Sequence, residues 1–546
     1  MKYMKITLLI LGLTIIAGLF ATNSANPIDI KNKAKMAQAW VRFNDGDYHG
    51  ALRIYREIYE ADSLDAELNF RIGQCYIYTK QMDKALVHLE VAVKDTSLDK
   101  EIYFVLGQAY QFAGKIDAAM NSYYKFKTKL KPRQLEHHQV NTLLMQCQNA
   151  KELMAKPVDV KIKNLGTTIN TKYTDANPSV TADGKTLIFT SRRPNAKGDN
   201  VDPNTGDYFD DVYISTTADG GKTWAQAAPV PGNINTDGYD ANLSISPDGS
   251  KIFLYKNIPG ETGSGDIYVS DKQPDGTWGK PYSIGKNVNS SYFESSACIT
   301  ADGNTLFFVS EREGFGIESY GMGDIYMAKR EGSGWGKPIN LGKTINTVDD
   351  EIGVFVHPDG KTLFFSSNGH NTMGGHDIFM TTLVDGKWTD PINLGYPINS
   401  TKEEIHFVLT TEGKKAYMSS NREGGQGVFD IWEVDMTNFY KSHPSFNQQV
   451  VNALTGPVLS IVKGSIIDNE SKPVTIEFII KDTENNKETK IKSNEKGEYF
   501  VTLPADLKYE IIINDPNYQA FKFNFKLPAG KGETHTMTKH IILNKK

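Results

Sequence analysis

A chain of 546 residues, 39% of them hydrophobic, is long enough for roughly three or four domains with ordinary cores. Its formal net charge of −5 supplies no basic field to neutralise phosphates, which excludes nucleic acid as the expected partner. The only cysteines, Cys75, Cys147 and Cys298, have no paired spacing, which excludes a disulfide scaffold and a zinc knuckle; they are expected as buried free thiols.

At the start of the chain, Lys2 and Lys5 precede an apolar run from Ile6 to Leu19. The run is short for a bilayer span and fits a secretory signal over residues 1–25, with cleavage near Ala21 or Ala25. No cysteine follows it, which argues against a lipid anchor, and no later segment is apolar enough to cross a membrane. The mature protein is expected to be soluble and exported to the periplasm.

Residues 31–156 carry helical periodicity. Ala51, Ala85 and Ala119 recur at steps of 34 residues, and Gly73 and Gly107 share the same step, in "FRIGQCYIY" and "FVLGQAYQF". This resembles the tetratricopeptide repeat, in which small residues let paired helices approach while aromatics fill the gaps. Three repeats and a capping helix from Arg133 to about Ala155 are expected. The resemblance implies a concave groove lined by Trp40, Phe43, Gln74, Tyr78, Gln108 and Phe112; packing between repeats is the other reading of the same side chains.

From residue 158 to 438 the pattern changes to short alternating strands. "ADGKTLIFTSRR" at residue 182 returns as "PDGSKIFLYK", "ADGNTLFFVSER", "PDGKTLFFSSN" and "TEGKKAYMSSNR", with a period of about 55 residues. Each unit has an Asn, an acid five residues later, a strand, the Asp-Gly corner, a second strand, a Gly-rich loop that ends in the "GDIY" strand, and a last strand that begins near a Trp. Four strands per unit predict five β-propeller blades. The last unit has no Trp and no "NLG" strand after "FDIWEVD", whereas an orphan "VDVKIKNLG" opens the region at Val158. The orphan is expected to supply the outer strand of the fifth blade and so close the ring. The wording resembles the WD40-like periplasmic propellers of the TolB type. Residues 439–461 read as a linker, and residues 462–546 as a small antiparallel sandwich. Gly464, Pro473, Gly497, Tyr499, Tyr509 and Tyr518 in that sandwich resemble the carboxypeptidase-regulatory-like pattern. The expected fold class is thus multidomain α plus all-β: a helical array, a five-bladed propeller and a C-terminal β-sandwich.

The five acids, Asp175, Asp240, Glu294, Glu351 and Glu404, precede the strands that would line the channel. Gathered near one mouth, they would attract a cation or a Lys/Arg-bearing peptide. The competing reading pairs them between blades with Arg192, Arg312 and Arg422, because burial without a partner is costly. "TADGGKTW" matches the Asp-box, with Asp219 and Thr223 expected to stabilise a hairpin away from the channel. Asp199, Asp202, Asn204 and Asp207 have a calcium-loop-like spacing without the closing Glu, and read as a solvated acidic loop. His370, His376 and Asp377 share a Gly-rich loop and read as exposed polar residues. No metal or cofactor is expected, and no G-x-S-x-G elbow or sialidase constellation occurs.

The order of signal, tetratricopeptide repeats, TolB-like propeller and carboxypeptidase-regulatory-like domain resembles periplasmic components of the type IX (Por) secretion and gliding machinery of Bacteroidetes-type bacteria. Members of that family usually continue into an OmpA-like peptidoglycan-binding domain, whereas this sequence stops at Lys546. The resemblance implies a non-enzymatic scaffold that binds outer-membrane or secretion-machinery proteins and reaches peptidoglycan only through partners. The alternative is a glycosidase or peptidase with an unrecognised site among the five acids.

Overall fold

The computed structural model describes residues 27–546 apart from 61–62, 80, 137–138, 195–200, 203–205, 258–264, 315, 446–457 and 530–533. The segment read as a signal, residues 1–25, lies outside the described residues. The architecture is mixed α plus β, with helices first and antiparallel sheets after them. No described helix is long and apolar enough to cross a membrane. The chain divides into two compact units, one ending at Ala109 and one beginning at Tyr110.

The first unit is built from helices Pro27–Asn44, Tyr48–Tyr59, Ala66–Tyr78 and Met82–Ala92 and most of Glu101–Phe112. Two of them start on an aspartate cap: the Gly50 N–H donates to Asp47 Oδ1 and the Leu68 N–H to Asp65 Oδ1, both at 2.7 Å. Ala51 and Ala85 are fully buried. A Cβ on Gly73 would sit 2.6 Å from Leu89, so the small residue is what lets its helix approach the next one.

In the second unit the capping segment, expected as one helix, is two: Pro132–Glu136, which opens on a proline that fits a first helical turn, and Val140–Met154. Five sheets follow among the described residues. Sheet one runs Asp175–Val180, Thr186–Ser191, Asp211–Thr216 and Ala228–Pro229, sheet two begins at Asp240 with the same order, and sheets three and four, beginning at Glu294 and Glu351, carry two short strands on the third strand instead of one. Sheet five holds Glu404–Leu409, Lys415–Ser420 and Asp430–Asp435, and its fourth strand is Lys161–Asn164, from the other end of the region. The hairpin corners turn on Gly184, Gly249, Gly303, Gly360 and Gly413, whose φ values lie between 67° and 74°. That left-handed region is the reason glycine recurs in the phrase.

One repeated contact joins each sheet to the next. The asparagine of each unit folds its amide against a third-strand residue of the preceding sheet. Asn399 Oδ1 accepts the Ile378 N–H at 2.7 Å, and its Nδ2 donates to the Ile378 carbonyl at 2.8 Å. The same double bond ties Asn235 to Val212, Asn289 to Ile267 and Asn346 to Ile325. The fifth copy, Asn170 on Ile431 at 2.8 and 2.9 Å, joins sheet five back to sheet one. An outer-strand asparagine supports three of the clamps from behind, and Ser283 takes that place for Asn289 at 3.1 Å: Asn340 accepts from Asn346 and Asn393 from Asn399, both at 2.8 Å. Asn164, on the strand supplied from the start of the region, accepts from Asn170 at 2.9 Å. The borrowed strand therefore performs the same task as the native outer strands.

Residues 439–443, read as the start of a linker, instead pack into the core beside sheets four and five. Phe439 is fully buried there, and His443 bonds the Asn393 carbonyl at 2.9 Å. An aromatic side chain buried among Trp432, Val434 and Met436 cannot belong to a free connector. The C-terminal sheets start at Leu459 and share a core of Val462, Phe478, Ile480, Tyr499, Ile511 and Ile541. They are not wholly antiparallel: Leu459–Asp468 pairs in parallel with Thr536–Thr538 and Ile541–Leu543, because the chain crosses back over the sandwich before its last strands.

Candidate functional site

The five acids open the first strands of their sheets, and every one of them is fully buried. Each reaches back to the residue after its own unit's asparagine. Thr171, Thr236, Ser290, Thr347 and Ser400 all donate both the backbone N–H and the hydroxyl to the carboxylate, for example at 2.6 and 2.8 Å on Asp175 and 2.9 and 2.8 Å on Glu404. In sheets three, four and five a second-strand serine adds a further hydroxyl: Ser310 to Glu294 and Ser367 to Glu351 at 2.7 Å, and Ser420 to Glu404 at 2.8 Å.

A cation completes four of the five sites. Arg193 meets Asp175 at 2.6 Å, Arg312 meets Glu294 at 3.4 Å and Arg422 meets Glu404 at 3.0 Å, while Lys256 is the partner of Asp240. Two expectations are corrected here. The pairing lies within a sheet, not between sheets, and the partner in sheet one is Arg193. Arg192 instead bonds Asp210 at 2.8 Å. Adjacent residues at a strand end point to opposite faces, so a shift of one position exchanges the partner. Carboxylates whose acceptors are taken, and which no solvent reaches, offer nothing to a cation or a basic peptide at a channel mouth. The sequence signal for this role is the Ser or Thr that follows every one of the five asparagines.

Sheet four lacks the cation. Burial pushes Glu351 up from 4.5 to about 7, outweighing the stabilising bonds from Ser367 and Thr347, with the Asp324 carboxyl adding to the rise. Spacing also missed the residues immediately before two of the acids. Asp350 and Glu403 flank His376, which lies 2.9 Å from Glu403 and 3.8 Å from Asp350. Burial works against the charge of His376, but the two carboxylates overcome it and raise the imidazole to about 9. His376 is thus a buried ion-pair partner and not an exposed polar residue. The doubled acids in "DDEIG" and "KEEIH" were the legible sign of that second layer.

The other expectations divide. His370 bonds the Ile345 carbonyl at 2.8 Å, and Asp377, fully buried, accepts from the Met373 N–H and from Asn393 at 3.0 and 2.7 Å, so the loop's three groups serve separate contacts. Asp202 takes the Tyr239 hydroxyl at 2.5 Å and Asp207 lies 3.9 Å from Arg192; Asp199 and Asn204 fall outside the described residues. Among the described residues, no group of three His, Cys, Asp or Glu side chains is placed to hold a metal. Asp219 ties Thr217 and Thr223 into a tight hairpin, at 2.8 and 2.6 Å. All three cysteines are buried and unpaired with one another. The far end of the inner strands encloses a cavity of about 20 Å³ lined by Thr181, Ile245, Cys298, Phe355 and Leu409, room for a single water.

On the helices, Trp40 is 43% exposed and Tyr78 54%, and Tyr78 stacks on Tyr48 at 4.4 Å with Phe43 edge-on to both. Gln74 and Gln108 are half-buried, and Gln74 accepts from Arg71 at 3.1 Å. Phe112 is not an open groove residue. The Lys402 ammonium covers its ring at 3.8 Å, and its carbonyl accepts from Thr401 at 3.1 Å.

No protein-family model and no curated protein matches the chain. Among solved structures, it is similar to the first TPR of Spaghetti bound to an HSP90 peptide, at 18% identity over 22% of this chain and 94% of that one, with a TM-score of 0.20. It is also similar to the Yersinia enterocolitica type III secretion chaperone SycD in complex with a peptide of the translocator YopD, at 17% identity over 23% of this chain and 99% of that one, with a TM-score of 0.21. A third likeness is to an α-L-arabinofuranosidase from Podospora anserina in complex with cellotriose, at 13% identity over 50% of this chain and 92% of that one, with a TM-score of 0.30.

Proposed function

We propose that this chain is a non-enzymatic scaffold of the periplasm that holds envelope proteins together in type IX secretion or gliding machinery. On this reading the helices form a tetratricopeptide-like groove for a partner's peptide. The five sheets are a five-bladed β-propeller closed by the borrowed Lys161–Asn164 strand, and the C-terminal sheets are a carboxypeptidase-regulatory-like module. The observation that carries the reading is the aromatic group on the helices. Trp40 and Tyr78 keep 43% and 54% of their surface in water, and Tyr78 lies against the Phe43 and Tyr48 rings. Tyr and Trp anchors of this kind concentrate binding energy at protein interfaces. The polar repeats support the same reading, because the asparagines and acids act as struts between and within sheets.

Crosslinking and pull-down from envelope fractions tests it. The Trp40→Ala, Tyr78→Ala double variant is expected to bind the recovered partner about 10- to 100-fold more weakly, the usual effect of losing interface anchors, with unchanged helical circular dichroism. Undiminished capture would count against the groove. Turnover on glycan or peptide panels that is abolished in folded Glu294→Gln and Glu351→Gln variants would establish the hydrolase instead.

A further inference from the structure

In sheets one, three and five an arginine stands eighteen residues after the acid; in sheet four that position is Gly369. A Cβ there would lie 2.0 Å from Thr347 Oγ1, so no side chain fits. The next residue, His370, does the arginine's structural work. Its Nε2–H donates to the Ile345 carbonyl at 2.8 Å, as Arg193 donates to Ile169 at 2.5 Å and Arg422 to Ile398 at 2.6 Å. Its ring lies 5.9 and 5.1 Å from Phe365 and Phe379, as Arg312 lies 5.1 Å from both Phe308 and Tyr326. Burial keeps this imidazole below its usual value, so the substitute is neutral.

Glu351 is therefore held by the neutral donors Thr347 and Ser367 alone. Across the junction it faces Asp324 of sheet three, joined through the Glu351 N–H on the Gly323 carbonyl at 2.9 Å and the Gly323 N–H on Asp350 at 3.0 Å. Asp324 is fully buried; its Oδ2 accepts from Tyr320 and Asn340, and its Oδ1 has no hydrogen-bond partner. The other titratable groups around this junction are His370, the His376 that bridges Asp350 and Glu403, the buried Asp377 that accepts the Met373 N–H, Glu311 beside Asp350, and His406 of sheet five next to Gly353. The loop that carries His370 also grips the Val140–Met154 helix. Gln146 donates to the Thr372 hydroxyl at 3.1 Å and Asn149 to the Thr372 carbonyl at 2.9 Å.

We propose that sheet four is a pH-responsive latch: ionising Glu351, which no arginine compensates, loosens the 369–376 loop and with it the hold on the Val140–Met154 helix. The direction follows from where the proton binds best. The closed site keeps it up to about 7, whereas the hydrated carboxyl of an opened loop loses it near 4.5. The latch is at full strength below the lower value, weakens across the interval and weakens no further above it. Opening grows by roughly tenfold per pH unit within that window.

Amide hydrogen exchange on the full chain, corrected for the intrinsic pH effect, measures this. Protection of residues 140–154 and 369–376 is expected to fall by roughly a hundredfold between about pH 5 and about pH 7 and then level off, with sheet one unchanged. Glu351→Gln is expected to flatten the profile. Uniform protection across pH in the wild type overturns the latch, as does a folded Glu351→Gln variant that keeps the dependence. Should that variant not fold, a Gln146→Ala, Asn149→Ala double variant decides: the loop is expected to keep its pH profile while the helix is unprotected at both ends of the range. A loop that loses its profile in the double variant overturns the proposal.

Discussion

Asn399→Ala is expected to lower the midpoint of thermal unfolding of the sheets by roughly 3 to 10 °C. The substitution removes no apolar surface of consequence. What it removes is the acceptor for the Ile378 N–H at 2.7 Å and one of two donors to the Ile378 carbonyl, at 2.8 Å; the Leu394 N–H, at 3.1 Å, remains as the other. Ile378 is fully buried, so water cannot replace the amide without opening the junction. The orphaned Ile378 N–H costs about 1 to 3 kcal/mol, whereas the carbonyl keeps the Leu394 N–H and Asn393 Oδ1 keeps the Gly395 N–H, so the loss rests on that one group. Asn399→Asp separates the terms: it retains an acceptor for the Ile378 N–H and leaves the carbonyl to the Leu394 N–H, but it buries a charge, so it is expected to be no better than alanine near neutral pH. Calorimetry against an exposed control, Asn304→Ala, provides the check. A shift of under about 2 °C would mean that the clamp is incidental to the junction. Because the same clamp recurs at every junction, including the one from Asn170 to Ile431, its loss at any of them leaves a ring of sheets with one weak seam.

Much of this arrangement was legible because the repeat is written in residues whose backbone demands are fixed. The Asp-Gly corners, the strand alternation and the orphan "NLG" at Asn164 gave the number of sheets and the borrowed strand. The roles of the polar residues were less legible. Spacing placed the asparagine and the acid together but could not say that one reaches back to the preceding sheet while the other turns inward on its own threonine or serine. Arg192 and Arg193 differ by a single register position, and only the pleat decides which of them meets Asp175. Phe112 and Phe439 were misassigned for a related reason. Each lies in a stretch whose local pattern is ordinary, and what covers it is Lys402 in the first case and a cluster that includes Phe364 and Leu394 in the second, residues far away in sequence. The parallel pairing of the last two strands has no local signature at all.

Arg312→Met should show what the permanent cations contribute. The carboxylate of Glu294 is fully buried and accepts from the Ser290 N–H and hydroxyl and the Ser310 hydroxyl, with Arg312 lying between the Phe308 and Tyr326 rings to supply the charge. Methionine can fill much of the aromatic slot, so the change removes the charge and the bonds to the Val288 and Asn287 carbonyls while keeping most of the packing. Leaving a buried carboxylate without its partner costs about 3 to 5 kcal/mol, a large share of a typical domain's stability. The double variant Arg312→Met, Glu294→Gln is expected to recover most of the loss, since removing both charges restores a neutral, hydrogen-bonded site. The single variant should also become pH-dependent. Burial without a cationic partner favours the neutral carboxyl, so the stability of the variant is expected to be greatest in acid and to decline as the pH rises towards neutrality. Urea unfolding at about pH 5 and about pH 7.5 measures all three. A single variant as stable as the wild type at the higher pH, or a double variant no better than the single, would show that the arginine is a packing element whose charge is irrelevant. If the expected order is found, one substitution will have given sheet three the titratable character that Gly369 and His370 already give sheet four.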